Sequence, residues 1–142
     1  MKIRSKIIEC DVPLSNGRYY PHFVVNDALS KLQKIHQEHI YGRIKPQVEH
    51  ADKPLDVKDI SHEVRTLWWD GNVLWGEFDI LPTPKGKILQ EILEKTPSED
   101  CIGLTSSGEV VYDNDNKVYV VKELDILAMD YFGPTKVKRK EK

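Results

Sequence analysis

The chain has 142 residues, enough for one domain with a buried core. Its 21 basic and 23 acidic residues leave a net charge of −2, so no whole-chain field marks it for nucleic acid or an acidic surface. Two cysteines without a Cys-x-x-Cys spacing exclude a disulfide framework; Cys10 and Cys101 read as buried free thiols of a reducing compartment. No long apolar run follows the N-terminus, so the expectation is a soluble, intracellular protein with no signal peptide and no membrane span.

Residues 2–12 read as a first strand carrying Ile3, Ile7 and Ile8, ended by a loop with Pro13 and Asn16-Gly17. The recurrence of Leu29, Leu32, Ile35, His39 and Ile40 predicts a helix capped by Asn26, carrying His36 and His39, and stopped by Gly42. Residues 43–60 hold Pro46, Pro54 and many charges without periodicity, an irregular segment of the kind that carries function. Next, His62, Val64, Thr66 and Trp68 alternate with Glu63, Arg65, Leu67 and Trp69. A turn at Asp70-Gly71-Asn72 returns the chain through residues 73–81 as a hairpin. Thr83-Pro84 opens a second helix, threonine as cap and proline at its first position, with Ile88, Leu89, Ile92 and Leu93 as its buried stripe. Strands at 101–105, 109–113 and 117–132 follow, the last two separated by Asn114-Asp115-Asn116. The sum is an α+β domain, mainly antiparallel strands in a curved sheet or β-barrel with two flanking helices. The run from Lys136 to Lys142 reads as a basic, solvated C-terminal tail (136–142) beyond a domain of residues 1–135.

The chemistry-bearing stretch is Gly103-Leu104-Thr105-Ser106-Ser107-Gly108. It reads as a short apolar strand delivering Ser106 to its end, with Gly108 letting a reacting carbonyl approach the backbone. A serine hydroxyl is a weak nucleophile until a base takes its proton, so the histidines decide the reading. His36 and His39 read as helix-surface residues, and His22 has no nameable partner. His62 shares the hairpin face of Val64 and Trp68, which suits a core or edge histidine better than a base. His50, flanked by Glu49 and Asp52, lies in the irregular segment, where functional residues concentrate. No metal-binding spacing accompanies it. An aspartate must orient the base, and the last predicted strand offers Asp125 and Asp130. Alternation puts Asp130 with Leu124, Ile126, Ala128 and Phe132, a face where a carboxylate is costly unless paired, and an imidazole would serve as partner. Asp125 shares its face with Leu127, Met129 and Tyr131, so alternation leaves both open.

With these residues assembled, the chain resembles the prohead (capsid-maturation) serine proteases of tailed bacteriophages, relatives of the herpesvirus assemblins. Asn16-Gly17-Arg18-Tyr19-Tyr20-Pro21 is similar to the family's Asn-Gly-Arg-x-Tyr-Pro opening, and Glu49-His50 to its Gly-Glu-x-x-His-Pro segment. Ser61-His62 through Trp68-Trp69-Asp70-Gly71 resembles the strand and turn that follow, and Leu81-Pro82-Thr83-Pro84-Lys85-Gly86-Lys87 its Thr-Pro-x-Gly helix start. Gly103 to Gly108 resembles the nucleophile strand, Gly-x-Ser-Ser-Arg-Gly, and the assemblin Leu-Cys-Ser-x-Gly. The Asp130-Tyr131-Phe132-Gly133-Pro134 ending favours Asp130 over Asp125. Ala51 stands where proline is usual and Ser107 where arginine is common, and Glu109 adds a negative charge near the nucleophile.

The resemblance implies an assemblin-like β-barrel and a serine endopeptidase that cleaves scaffold and head proteins inside the assembling prohead, in the host cytoplasm. Ser106 is then the nucleophile, His50 the general base and acid, and Asp130 its orienting partner. Backbone N–H groups at Ser107 and Gly108 serve the oxyanion, and Asp125 and His62 stand as alternates. On this scheme Asp130→Asn folds normally and cleaves slowly. No cofactor and no metal enter. The implied partners are phage scaffold and capsid proteins, with self-cleavage and a homo-oligomer compatible, and with no membrane and no specific nucleic acid. Two other classes compete: a catalytically inactive head-assembly or scaffold-binding module of the same fold, and a small nucleic-acid-binding barrel using the basic end with Trp68, Trp69 and Trp75. Adjacent tryptophans point to opposite strand faces, which weakens a stacking platform.

Overall fold

The computed structural model describes residues 1–35, 39–44 and 56–140. Among these the elements run β1 (Lys2–Glu9), β2 (Arg18–Tyr19), α1 (His22–Ile35), β3 (Tyr41–Arg43), β4 (Ile60–Asp70), β5 (Val73–Ile80), α2 (Pro84–Lys95), β6 (Ile102–Asp113) and β7 (Val118–Tyr131). The strands form two sheets. One has the order β1-β5-β4-β3 and is antiparallel; the other has the order β2-β7-β6, with β2 parallel to β7 and β6 antiparallel to it.

The sheets adjoin along two seams. At the first, Ile44 bridges Tyr131. At the second, the Ser5 hydroxyl oxygen accepts from the N–H groups of Cys101 and Ile102 at 3.0 and 3.1 Å. The Lys6 N–H donates there to the Glu99 carbonyl at 2.7 Å. No continuous ladder crosses either seam among the described residues. The α+β class, two helices and mostly antiparallel strands agree with the sequence; the expected single curved sheet or barrel is here a pair of sheets around one core. Ile7, Leu74, Phe78, Ile102 and Met129 fill its centre, and Val24, Val25, Ala28, Leu29 and Leu32 of α1 are buried with them. Each such large side chain contributes about 1.5–3 kcal/mol of burial. Cys10 and Cys101 are buried free thiols, and burial pushes the Cys10 thiol up to about 12.

Local signals give the β4–β5 hairpin and α2. Trp68 lies opposite Trp75 and stacks on it with centroids 6.4 Å apart. Trp69 points to the other face, where its Nε1–H donates to Asn26 Oδ1 at 3.2 Å and its ring meets His22 at 4.0 Å. In α2 the Thr83 hydroxyl accepts from the Gly86 N–H at 3.0 Å and donates to the Ile60 carbonyl at 2.6 Å. Leu89 and Leu93 are buried, but Ile88 is 46% exposed. The buried face follows Gly86, Leu89 and Leu93, and Ile88 sits about 100° round the helix from Leu89.

Three expectations are corrected. Helix α1 begins at His22, because the loop residue Asp11 accepts the His22 N–H at 3.0 Å and caps the helix from outside it. Asn26 spends its side chain on Trp69 instead. The helix ends at Ile35, and His39 lies beyond it, bonded to Glu63 and stacked on Tyr41 at 5.7 Å, while His36 lies outside the described residues. Second, the strands expected at 101–105 and 109–113 are one long strand, Ile102–Asp113, so Ser106 is inside β6 and not at a strand end. Third, the basic run is not a free tail through its described residues, although residues 137–140 are exposed. Lys136 is buried, the Ser15 N–H donates to the Lys138 carbonyl at 2.8 Å, and the Lys140 N–H to the Pro13 carbonyl at 2.9 Å.

A test of the α2 docking is Gly86→Ala. A Cβ there would lie 1.8 Å from the Leu81 carbonyl oxygen, a backbone atom that cannot swing aside. Alanine gains roughly 1 kcal/mol of helix propensity, while forcing helix from strand costs about 1–3 kcal/mol or more. Urea unfolding should show net destabilisation; a stabilised variant would mean that the helix yields without cost.

Candidate active site on strand β6

Ser106 is half-buried and lines a cleft of about 310 Å³ between β1 and β6. Ile7, Leu14, Leu104, Phe132 and Val137 make the walls apolar, and Arg18 and Lys136 supply cations. The Ser106 hydroxyl makes no hydrogen bond among the described residues, and His50 lies outside them. Ser107 is exposed, opposite the exposed Asp125. Gly108 also serves the packing of the sheet. A Cβ there would lie 2.0 Å from the Glu123 carbonyl oxygen, so the glycine permits the close approach of β6 to β7. Glu109 is exposed and faces Glu123 across the ladder.

Asp130 is fully buried. Its Oδ1 accepts the Arg43 N–H at 2.9 Å, and its Oδ2 accepts the Thr105 hydroxyl at 2.5 Å and the Arg43 Nε–H at 3.4 Å. A carboxylate in this position requires partners, and those described are a guanidinium, an amide and a hydroxyl rather than an imidazole. Sequence reading passed over both Arg43 and Thr105, since each is ordinary in its local run and matters only through residues far along the chain. Asp130→Asn removes the charge that the buried Arg43 meets here, so it is expected to cost stability as well.

The ladder also corrects the faces. Gly103 pairs with Asp130 and Thr105 with Ala128, so these four share one side, and Leu104 and Met129 share the other. A register shift then puts Ser106 opposite Ile126, leaving Leu127 as an extra residue in β7. Ile126 therefore joins the Met129 side, and the expected grouping of Ile126 with Ala128 and Asp130 fails. Alternation places Ser106 with Leu104, so serine and carboxylate lie on opposite faces, joined through Thr105.

His62 is fully buried in β4. One ring nitrogen, Nε2, is 2.7 Å from the Met129 carbonyl oxygen, which only accepts, so Nε2 carries the proton. Nδ1 then accepts from the Ser61 hydroxyl at 2.8 Å. Burial lowers its pKa, opposed by the Met129 carbonyl and the Asp130 charge. With both nitrogens engaged, this ring holds the Met129 carbonyl in place and has no further lone pair to offer Ser106. Among the described residues no His, Cys, Asp and Glu cluster is arranged to hold a metal, and no helix is long and apolar enough to cross a membrane.

Paired sheets with two helices make up a fold similar to that of a solved capsid assembly protease. That structure is the bacteriophage T4 capsid assembly protease, gp21, similar at 17% sequence identity and a TM-score of 0.72, over 92% of this chain and 79% of that one. No family model and no curated protein matches the chain.

Two measurements probe the buried polar residues. Since the His62 pKa is lowered from 6.5, the unfolded state binds the proton that the folded state refuses. Stability is therefore complete above that value and falls as pH drops below it, by at most about 1.4 kcal/mol per pH unit from this group. His62→Gln should flatten that slope in urea midpoints between neutral and acidic pH, and an unchanged slope rejects the attribution. Arg43→Met should destabilise by about 3–5 kcal/mol, because it leaves the Asp130 carboxylate buried without its cation. A loss below about 1 kcal/mol, the size of an exposed pair, would show that Asp130 does not depend on it.

Proposed function

We propose that this chain is a serine endopeptidase of phage capsid maturation, acting on scaffold and capsid proteins inside the assembling head in the host cytoplasm. The observation that carries the reading is Ser106, on the edge strand of its sheet and opening on an apolar cleft, in a fold shared with the T4 capsid assembly protease. An edge strand beside an apolar cleft suits an extended polypeptide, whose backbone extends the sheet while a side chain enters the cleft. Ser106 attacks the scissile carbonyl; His50 takes the serine proton and returns it to the leaving amine. N–H groups at Ser107 and Gly108 serve the oxyanion. Asp130 is the third member, and its contacts support a positioning role: it holds Thr105 beside Ser106 and Arg43 at the end of β3, the strand that precedes His50 in the chain. On the same reading the paired sheets are the two sides of an assemblin-like barrel, and the enzyme needs no cofactor. Self-cleavage and a homo-oligomer are compatible with it.

The test is labelling by a fluorophosphonate together with cleavage of co-expressed scaffold protein. Ser106→Ala and His50→Ala should abolish both, and Ser107→Ala should keep most. Asp130→Asn should slow cleavage by a factor on the order of 10²–10⁴ at a temperature where the variant remains folded. Cleavage that survives Ser106→Ala rejects the assignment. An unlabelled wild-type protein points to the fold acting as a non-catalytic assembly module.

A further inference from the structure

Beyond β7 a 3-10 turn at Gly133–Thr135 reverses the chain, with the Phe132 and Gly133 N–H groups donating to the Cys101 carbonyl at 2.8 and 3.2 Å. The chain then enters the gap between β1 and β6. Lys136 is inserted there with 5% of its side chain exposed. Its Nζ donates to Asp100 Oδ1 at 2.5 Å and to the Lys6 carbonyl at 2.6 Å. Past it, Arg139 bridges Leu14 and pairs with Glu9 at 3.3 Å, an exposed contact of the weak kind. Phe132, Lys136 and Val137 thereby form one wall of the Ser106 cleft.

A buried ammonium is a poor way to gain stability, since an apolar side chain would fill the same space without leaving water. What it supplies is position. One placement of Nζ satisfies both Asp100 and the Lys6 carbonyl, so the pair fixes how far along the gap the segment sits and where Phe132 and Val137 stand. Desolvation lowers the Lys136 pKa, and the hydrogen bond and charge of Asp100 oppose that shift.

We propose that residues 132–139 form a latched wall of the Ser106 cleft, with Lys136 as its positioning residue, and that the latch sets which apolar side chain of a polypeptide the cleft admits. The second half of this statement rests on the protease reading; the latch does not.

Hydrogen exchange and peptide kinetics on Lys136→Met test both halves. The Ser15 and Lys140 amides, which bond across the segment, should exchange at least about tenfold faster, while amides of β4 and β5 keep their rates. Peptide KM should rise several-fold with kcat within about twofold, the sign of lost uniform binding. Val137→Ala should leave exchange unchanged and shift preference toward a bulkier apolar side chain. Unchanged exchange at Ser15 and Lys140 overturns the latch, as does equal acceleration throughout β4 and β5, the mark of a merely structural lysine. A Val137→Ala variant with wild-type preference overturns the specificity claim. If the wild-type protein cleaves no peptide, the protease reading and the specificity claim fail together, and the exchange result still decides the latch.

Discussion

Where two sheets meet without a shared ladder, the backbone N–H and C=O groups at the join need side chains as partners, and this constraint organises the molecule. At one seam the Asp130 carboxylate takes the Arg43 N–H, and His62 donates to the Met129 carbonyl. At the other the Ser5 hydroxyl takes two N–H groups, and Lys136 donates to the Lys6 carbonyl. The buried polar side chains Ser5, Arg43, His62, Asp130 and Lys136 all act at these joins. They stand in for rungs of a ladder, and removing one of a set leaves its partner buried and unsatisfied, which costs more than the set's own burial.

The candidate site belongs to the same geometry. Just past Ser5, β1 and β6 separate, and the cleft that Ser106 lines occupies the space between them. Next to Ser106, Thr105 is tied to Asp130. Ser106 thus stands on a strand anchored at its neighbour, a rigid mount for a residue whose chemistry needs a fixed approach. The proposed catalytic roles use that mount: the polar set holds the strand, and the cleft beside it admits the ligand.

What the sequence disclosed follows from the range of the interactions. The β4–β5 hairpin and α2 are written within a few neighbouring residues, as an alternation, a turn, and a Thr-Pro start, so they were legible. The start of α1 was not, because its cap is Asp11, beyond an intervening loop and strand. The need of Asp130 for a partner was legible from its apolar strand; Arg43 and Thr105 as the partners were not, since only the fold brings them to it. Ser106 was identified as a strand residue but misplaced at the strand's end, because Ser-x-Gly carries a strong local turn signal that the contact of Gly108 with Glu123 overrides. The basic closing run misled for a related reason. Charge density suggests solvation, and only the tertiary position of Asp100 makes Lys136 an interior residue.

β7 carries two residues without a counterpart in β6, Lys122 and Leu127, and the second makes the length of that strand matter more than its composition. Leu127 is 39% exposed and belongs to no buried cluster, so its side chain is of little consequence. Its presence is not. Side chains in a strand alternate sides with every residue, and one added position inverts the alternation for everything after it. Were Leu127 deleted, either Ile126 and Leu124 would leave the core or Ala128 and Asp130 would turn to the other face of β7, separating the carboxylate from Arg43. The position should therefore accept nearly any substitution in evolution while tolerating no deletion, whereas a loop tolerates both.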